Sequence, residues 1–98
     1  MTYAERAANC LQVRRLQVNR AQIEARPYGH NYQVAISRVR AAKLGLETDL
    51  HMGTTIAIRT NGDYRLAIEN ICGQLYLVCM QLPVEDWPHV FGIEVIDG

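Results

Sequence analysis

Leu16-Gln17-Val18-Asn19-Arg20-Ala21-Gln22-Ile23-Glu24-Ala25 is the stretch on which the fold turns. At about 100° per residue it prolongs a helix from further upstream, whereas at a repeat of two it is a strand with irregular apolar/polar alternation. The helical reading is preferred, because the surroundings supply both of its ends. Upstream, Thr2-Tyr3-Ala4-Glu5 is a capping box, in which the Thr2 oxygen meets the Glu5 N–H and the Glu5 side chain reaches back. Downstream, Pro27 disfavours helical geometry in the residue before it, and propensity stays favourable through Arg26. A helix is therefore expected from Tyr3 to Arg26. Tyr3, Ala4, Ala7, Cys10, Leu11, Val18, Ala21 and Ala25 line one side, and Val13, Leu16 and Ile23 fall on a second.

Beyond it, Pro27-Tyr28-Gly29-His30-Asn31 is a turn by composition. Asn31 is placed to cap a second helix, with Tyr32, Ala35, Ile36, Val39, Ala42 and Leu46 at three- and four-residue spacing. Lys43 in its last turn and Gly45 just past it suit a helix end. Tyr32, Val34 and Ile36 also alternate as a strand would, which leaves a hairpin about the Pro27–Asn31 turn as the rival.

From Thr54 the pattern becomes one of strands. Thr54, Ile56 and Ile58 alternate into Asn61-Gly62, a hairpin signal, and Tyr64, Leu66 and Ile68 alternate on the way back. After a break at residues 70–73 comes Gln74-Leu75-Tyr76-Leu77-Val78-Cys79-Met80, so continuously apolar that a central strand buried on both faces is expected. Pro83 and Pro88 bracket a loop, and residues 93–96 suit a terminal edge strand. The fold class that follows is α+β, with N-terminal helices packed on one face of a small antiparallel meander of three or four strands. Residues 1–98 read as a single domain, basic and mainly helical over 1–46, acidic and sheet-forming over 54–96.

The net charge of zero is made of two opposed halves. Residues 1–43 set Arg6, Arg14, Arg15, Arg20, Arg26, Arg38, Arg40 and Lys43 against Glu5 and Glu24. Residues 44–98 set Arg59 and Arg65 against Glu47, Asp49, Asp63, Glu69, Glu85, Asp86, Glu94 and Asp97. Such asymmetry points to an acidic partner or to pairing between the halves. Apolar content of 49% argues against a disordered chain. No run approaches the roughly 20 apolar residues of a membrane span, and the first residues carry no secretory h-region, so a cytoplasmic location without membrane contact is expected. Cys10, Cys72 and Cys79 form no C-x-x-C pair and read as thiols packed like small apolar groups.

Three functional readings follow, of which a non-enzymatic module that self-associates and binds a macromolecular partner leads. Val13, Leu16 and Ile23 supply its interface, because a second apolar stripe needs a second surface, and a twofold dimer is the favoured assembly. An uncovered edge strand offers another route to pairing. The alternative is nucleic-acid binding through Arg14, Arg15, Arg20, Arg26, Arg38 and Arg40, although helical geometry scatters those arginines around the axis. A further alternative is a small-ligand site or enzyme at a subunit junction, with Glu85, Asp86 and His89 among its polar groups. No glycine-rich phosphate loop, G-x-S-x-G or H-E-x-x-H occurs, and neither metal nor cofactor is expected.

Overall fold

The computed structural model describes residues 16–97. In chain order these form β1 (Gln17–Asn19), a 3-10 turn (Arg20–Gln22), β2 (Ile23–Ala25), β3 (Tyr32–Ala35) and α1 (Arg38–Lys43). Then come β4 (Thr55–Asn61), β5 (Tyr64–Ile71), β6 (Gln74–Met80), a second 3-10 turn (Val84–Asp86), α2 (Trp87–Val90) and β7 (Glu94–Ile96). Five strands make an antiparallel sheet in the order β2-β3-β6-β5-β4, while β1 and β7 pair in parallel as a separate ribbon.

This overturns the expected architecture of N-terminal helices on a small meander. The part of the expected first helix that falls within residues 3–15 lies outside the described residues. Its remainder is strand, 3-10 turn and strand. Asn19 is the local reason: its backbone is extended, at φ −83° and ψ 126°, and its Oδ1 accepts the Ala21 N–H at 2.9 Å. That hydrogen bond competes with a helical ladder at the same place. Leu16 and Val18 then alternate inward, at 2% and 4% exposure, with Gln17 exposed between them.

The second helix is also shorter than its pattern implied. Its first half, Tyr32–Ala35, is β3, and Asn31 does not cap it. Instead Ser37 Oγ accepts the Arg40 N–H at 3.1 Å and starts α1, a helix of six residues. Val34 and Ile36 both point into the core, as alternation demands. The helix ends as Lys43 and Gly45 suggested, with Gly45 at φ 76° just beyond it.

The strands from residue 55 onward lie where alternation put them. β6 occupies the middle of the sheet and has four of its seven residues buried. The first hairpin turns one residue later than Asn61-Gly62 implied, on Gly62 (φ 61°) and Asp63, with Asn61 still paired to Tyr64. The second turns on Cys72 (φ 51°) and Gly73 (φ 91°), both positive as a type I′ turn requires. The terminal strand is not an edge of the main sheet, because it pairs with β1.

One face of the sheet carries the core. Val34, Leu77 and Ile68 form a cross-strand row, Cys79 and Leu66 another. Leu16, Val18, Ile36, Leu82, Val84, Trp87, Phe91 and Ile93 complete the cluster. Trp87 is 1% exposed, donates its indole N–H to the Leu82 carbonyl at 3.2 Å, and meets Tyr32 edge-on at 6.5 Å between centroids. Ala67 and Val78, opposite each other on the far face, are also fully buried and stand outside that cluster. No described helix is long and apolar enough to cross a membrane.

Asn70 ties the irregular segment before β4 to the sheet. Its Nδ2 donates to the Leu50 carbonyl at 2.7 Å, and its Oδ1 accepts the Gly73 N–H at 2.8 Å. Removing that side chain strands the buried Leu50 carbonyl and frees the Gly73 N–H, so Asn70→Ala is expected to lower stability by about 1–3 kcal/mol. Urea denaturation with an unchanged slope is the check.

Burial pushes the Cys79 thiol from an ordinary 9.0 up to about 12. The folded chain keeps this proton where the unfolded chain releases it. The stabilising contribution is therefore complete below pH 9 and is lost as pH rises towards 12. Iodoacetamide near neutral pH is expected to label exposed Cys72 and spare Cys79, read by peptide mass mapping. In Cys79→Val the fall of the denaturation midpoint above pH 9 should be shallower than in the native sequence.

Candidate functional site

The sheet has an end at which chemistry-bearing side chains gather. Thr60, Arg65 and Met80 are cross-strand neighbours on β4, β5 and β6, on the face away from the core. With Gly62, Asp63, Tyr64 and Gln81 they line a cleft of about 270 Å³. No histidine, cysteine or lysine is among these lining residues.

Four of the lining positions, Thr60, Tyr64, Arg65 and Met80, are fixed by regular sheet pairing, and Gln81 is fixed by the loop next to it. Gln81 sits at φ 61°, in the left-handed region that a side chain with Cβ disfavours. It is held there by Asn31, whose Oδ1 accepts the Gln81 N–H at 2.8 Å. The Leu82 N–H donates to the His30 carbonyl, the Asn31 amide to the Tyr28 carbonyl, and the Arg26 N–H to the Asn31 carbonyl. The 26–31 loop, with Tyr28 82% exposed upon it, is thereby stitched to the rim of the cleft. Strained residues of this kind persist only where surrounding contacts over-determine them.

The arginines divide into two sets. Arg20 pairs with Asp97 at 2.6 Å and with Glu85 at 3.5 Å. Arg26 reaches over the outer face to Glu69 and donates to Gln33 Oε1 at 3.0 Å, and Thr55 holds the other Glu69 oxygen. Arg38 donates to the Thr48 carbonyl and Arg40 to the Gln17 carbonyl, each at 2.6 Å. Four of the six arginines proposed for nucleic acid therefore carry internal contacts, and Arg14 and Arg15 lie outside the described residues. Arg59 and Arg65, by contrast, have no ion pair or side-chain hydrogen bond among the described residues. Asp63 is likewise without one.

The other candidates from the sequence are dispersed. Leu16 is inside the core and Ile23 is half-buried against it, while Val13 lies outside the described residues. The row expected on one helix is not formed by Leu16 and Ile23, which sit on different strands or strand starts. Glu85 is engaged by Arg20, Asp86 and His89 are exposed, and Trp87 between them is buried in the core. None of Glu85, Asp86 and His89 lines the cleft. Among the described residues no three His, Cys, Asp or Glu side chains converge as a metal site would need.

The cleft residues themselves were not singled out in the sequence. Alternation over 64–68 placed Leu66 and Ile68 on one side, and so Arg65 and Ala67 on the other. The neighbours of Arg65 come only from the strand register.

Comparison with protein-family models, with characterised proteins and with solved structures gave no match. Function is therefore argued from the site alone.

Arginines with partners and arginines without should respond differently to truncation. Arg26→Ala removes the donor to Glu69 Oε2 and to Gln33 Oε1, and a loss of about 1–3 kcal/mol is expected. Arg65→Ala is expected to stay within about 0.5 kcal/mol of the native chain. Parallel thermal and urea melts of the two variants measure the contrast.

Proposed function

We propose that this chain is a small, non-enzymatic binding module whose partner-facing surface is the β4–β5 hairpin end of the sheet. The observation that carries this reading is the grouping of Tyr64, Arg65 and Met80 around one cleft, with exposed Tyr28 on the adjoining loop. Tyr, Arg and Met are the side chains enriched where protein partners meet, and Tyr and Arg dominate binding hot spots. The cleft is of side-chain size, suited to receive a residue of a macromolecular partner. Its residues stand on strands whose pairing fixes them, which is what a preorganised contact surface needs.

The apolar interface moves in this reading from Val13, Leu16 and Ile23 to the hairpin end, because Leu16 is occupied within its own chain.

The test is affinity capture with quantitative mass spectrometry, comparing the native chain with Tyr28→Ala/Tyr64→Ala. A second variant, Val39→Ala/Met52→Ala, removes apolar groups exposed elsewhere, at 67% and 74%. Proteins enriched by the native chain should be lost with the tyrosine variant and kept with the control. Identical capture by all three, at matched thermal stability, would remove the hairpin end as the binding surface.

A further inference from the structure

We infer that a second copy of this chain docks on the hairpin end about a twofold axis, with Asp63 of each copy facing Arg65 of the other. This rests on reading the hairpin end as the binding surface and names an occupant for it. Asp63 and Arg65 line the same cleft, two residues apart, and yet are not within ion-pair distance of each other. Neither has another partner among the described residues. Arg20 and Arg26 are paired to carboxylates and Arg38 and Arg40 to backbone carbonyls, which leaves Arg59 and Arg65, and of these two Arg65 lines the cleft.

Two opposite charges free on one small surface make that surface complementary to itself. A twofold interface is built in this way, because a contact from residue i to residue j is repeated from j to i. Each pairing therefore occurs twice, and both charges on both copies are neutralised. Met80 lies beside Arg65 in register, so an apolar group flanks that charge. Charged contacts set register and orientation between partners.

The two ways of adding strands to this sheet are both blunted, which favours docking by the hairpin end over pairing by an edge. β2 is three residues long and is followed closely by Pro27. β4 has a register shift between Ala57 and Arg59, and it carries the charge of Arg59 at that break. Short, bulged and charged edges resist further strand pairing.

The test is multi-angle light scattering over a concentration series, at low and high salt, on the native chain and on Asp63→Arg and Arg65→Asp. The native mass is expected to rise from 11.1 kDa towards twice that value with concentration, and less so at high salt. Each single variant places like charges across the axis and should remain at the monomer mass. An equimolar mixture of the two variants restores both contacts and should recover the dimer, as should the double swap in one chain. Far-UV spectra and thermal melts confirm that each variant is folded. A native chain that stays monomeric throughout, or single variants that dimerise as well as the native chain, overturns the twofold pairing. Failure of the mixture to recover the dimer overturns it too. The capture experiment with the tyrosine variant reports separately on the hairpin end as a surface for other partners.

Discussion

A central strand paired along both of its edges is the constraint on which the rest of this structure depends. β6 pairs with β3 on one side and β5 on the other, with Leu75, Leu77 and Cys79 buried on the core face and Val78 on the far face. Leu75, Leu77 and Cys79 require an apolar cover on one side, and the chain supplies it from both of its halves. Leu16, Val18 and Ile36 come from before the meander, and Leu82, Trp87, Phe91 and Ile93 from after it. The order of the sheet follows, since β3 must return to pair with β6 and so brings β2 with it. Pairing with β6 sets the register of β5, and β5 in turn sets that of β4. That register is what sets Thr60, Arg65 and Met80 in one row.

The sequence was most readable where contacts are local. Residues 55–80 fold through two tight hairpins, so alternation and turn chemistry in neighbouring residues determine the outcome. Residues 16–36 were misread as helix, although β2 and β3 form the hairpin about the Pro27–Asn31 turn that stood as the rival, because their further partners are distant. β1 pairs with β7, and β3 with β6, in contacts that a local period cannot report. Two small side chains mark the errors: Asn19 and Ser37 each hydrogen-bond a backbone N–H two or three residues on, and each thereby sets a boundary. The helical period through Ala21 and Ala25 was real but weak, and tertiary pairing overrode it. The cleft was less legible still, for Arg65 gains its neighbours from register and not from spacing. Cys72 was unreadable as a turn residue, since cysteine has no particular preference for positive φ.

The opposed charge of the two halves has a definite structural use. Each ion pair among the described residues joins a basic residue of the first 43 to an acidic residue of the remainder. Arg20 clamps the 3-10 turn before β2 to both Glu85 and Asp97, at the two ends of the C-terminal segment. Arg26 crosses the outer face to Glu69. The Arg20 contacts are exposed and contribute little energy individually, whereas the Arg26–Glu69 pair is half-buried. Their value is positional, since opposite charge selects which surfaces of the two halves meet.

The parallel ribbon of β1 and β7 has a consequence for how the chain reaches this state. The residues it joins are 77 apart in sequence, as in the contact of Gln17 with Glu94. Closing so long a loop carries an entropic cost that short hairpins avoid, and contacts of this separation slow the search for the native state. The β4–β5–β6 meander, by contrast, can assemble from neighbours. The order implied is a meander first, with β3 added to β6, and the ribbon closing last over the Trp87 side of the core. Until that closure, Leu16 and Val18 have no place to be buried, and the core stays open along one flank. The smallest piece of sheet in the molecule is thus the one that completes it.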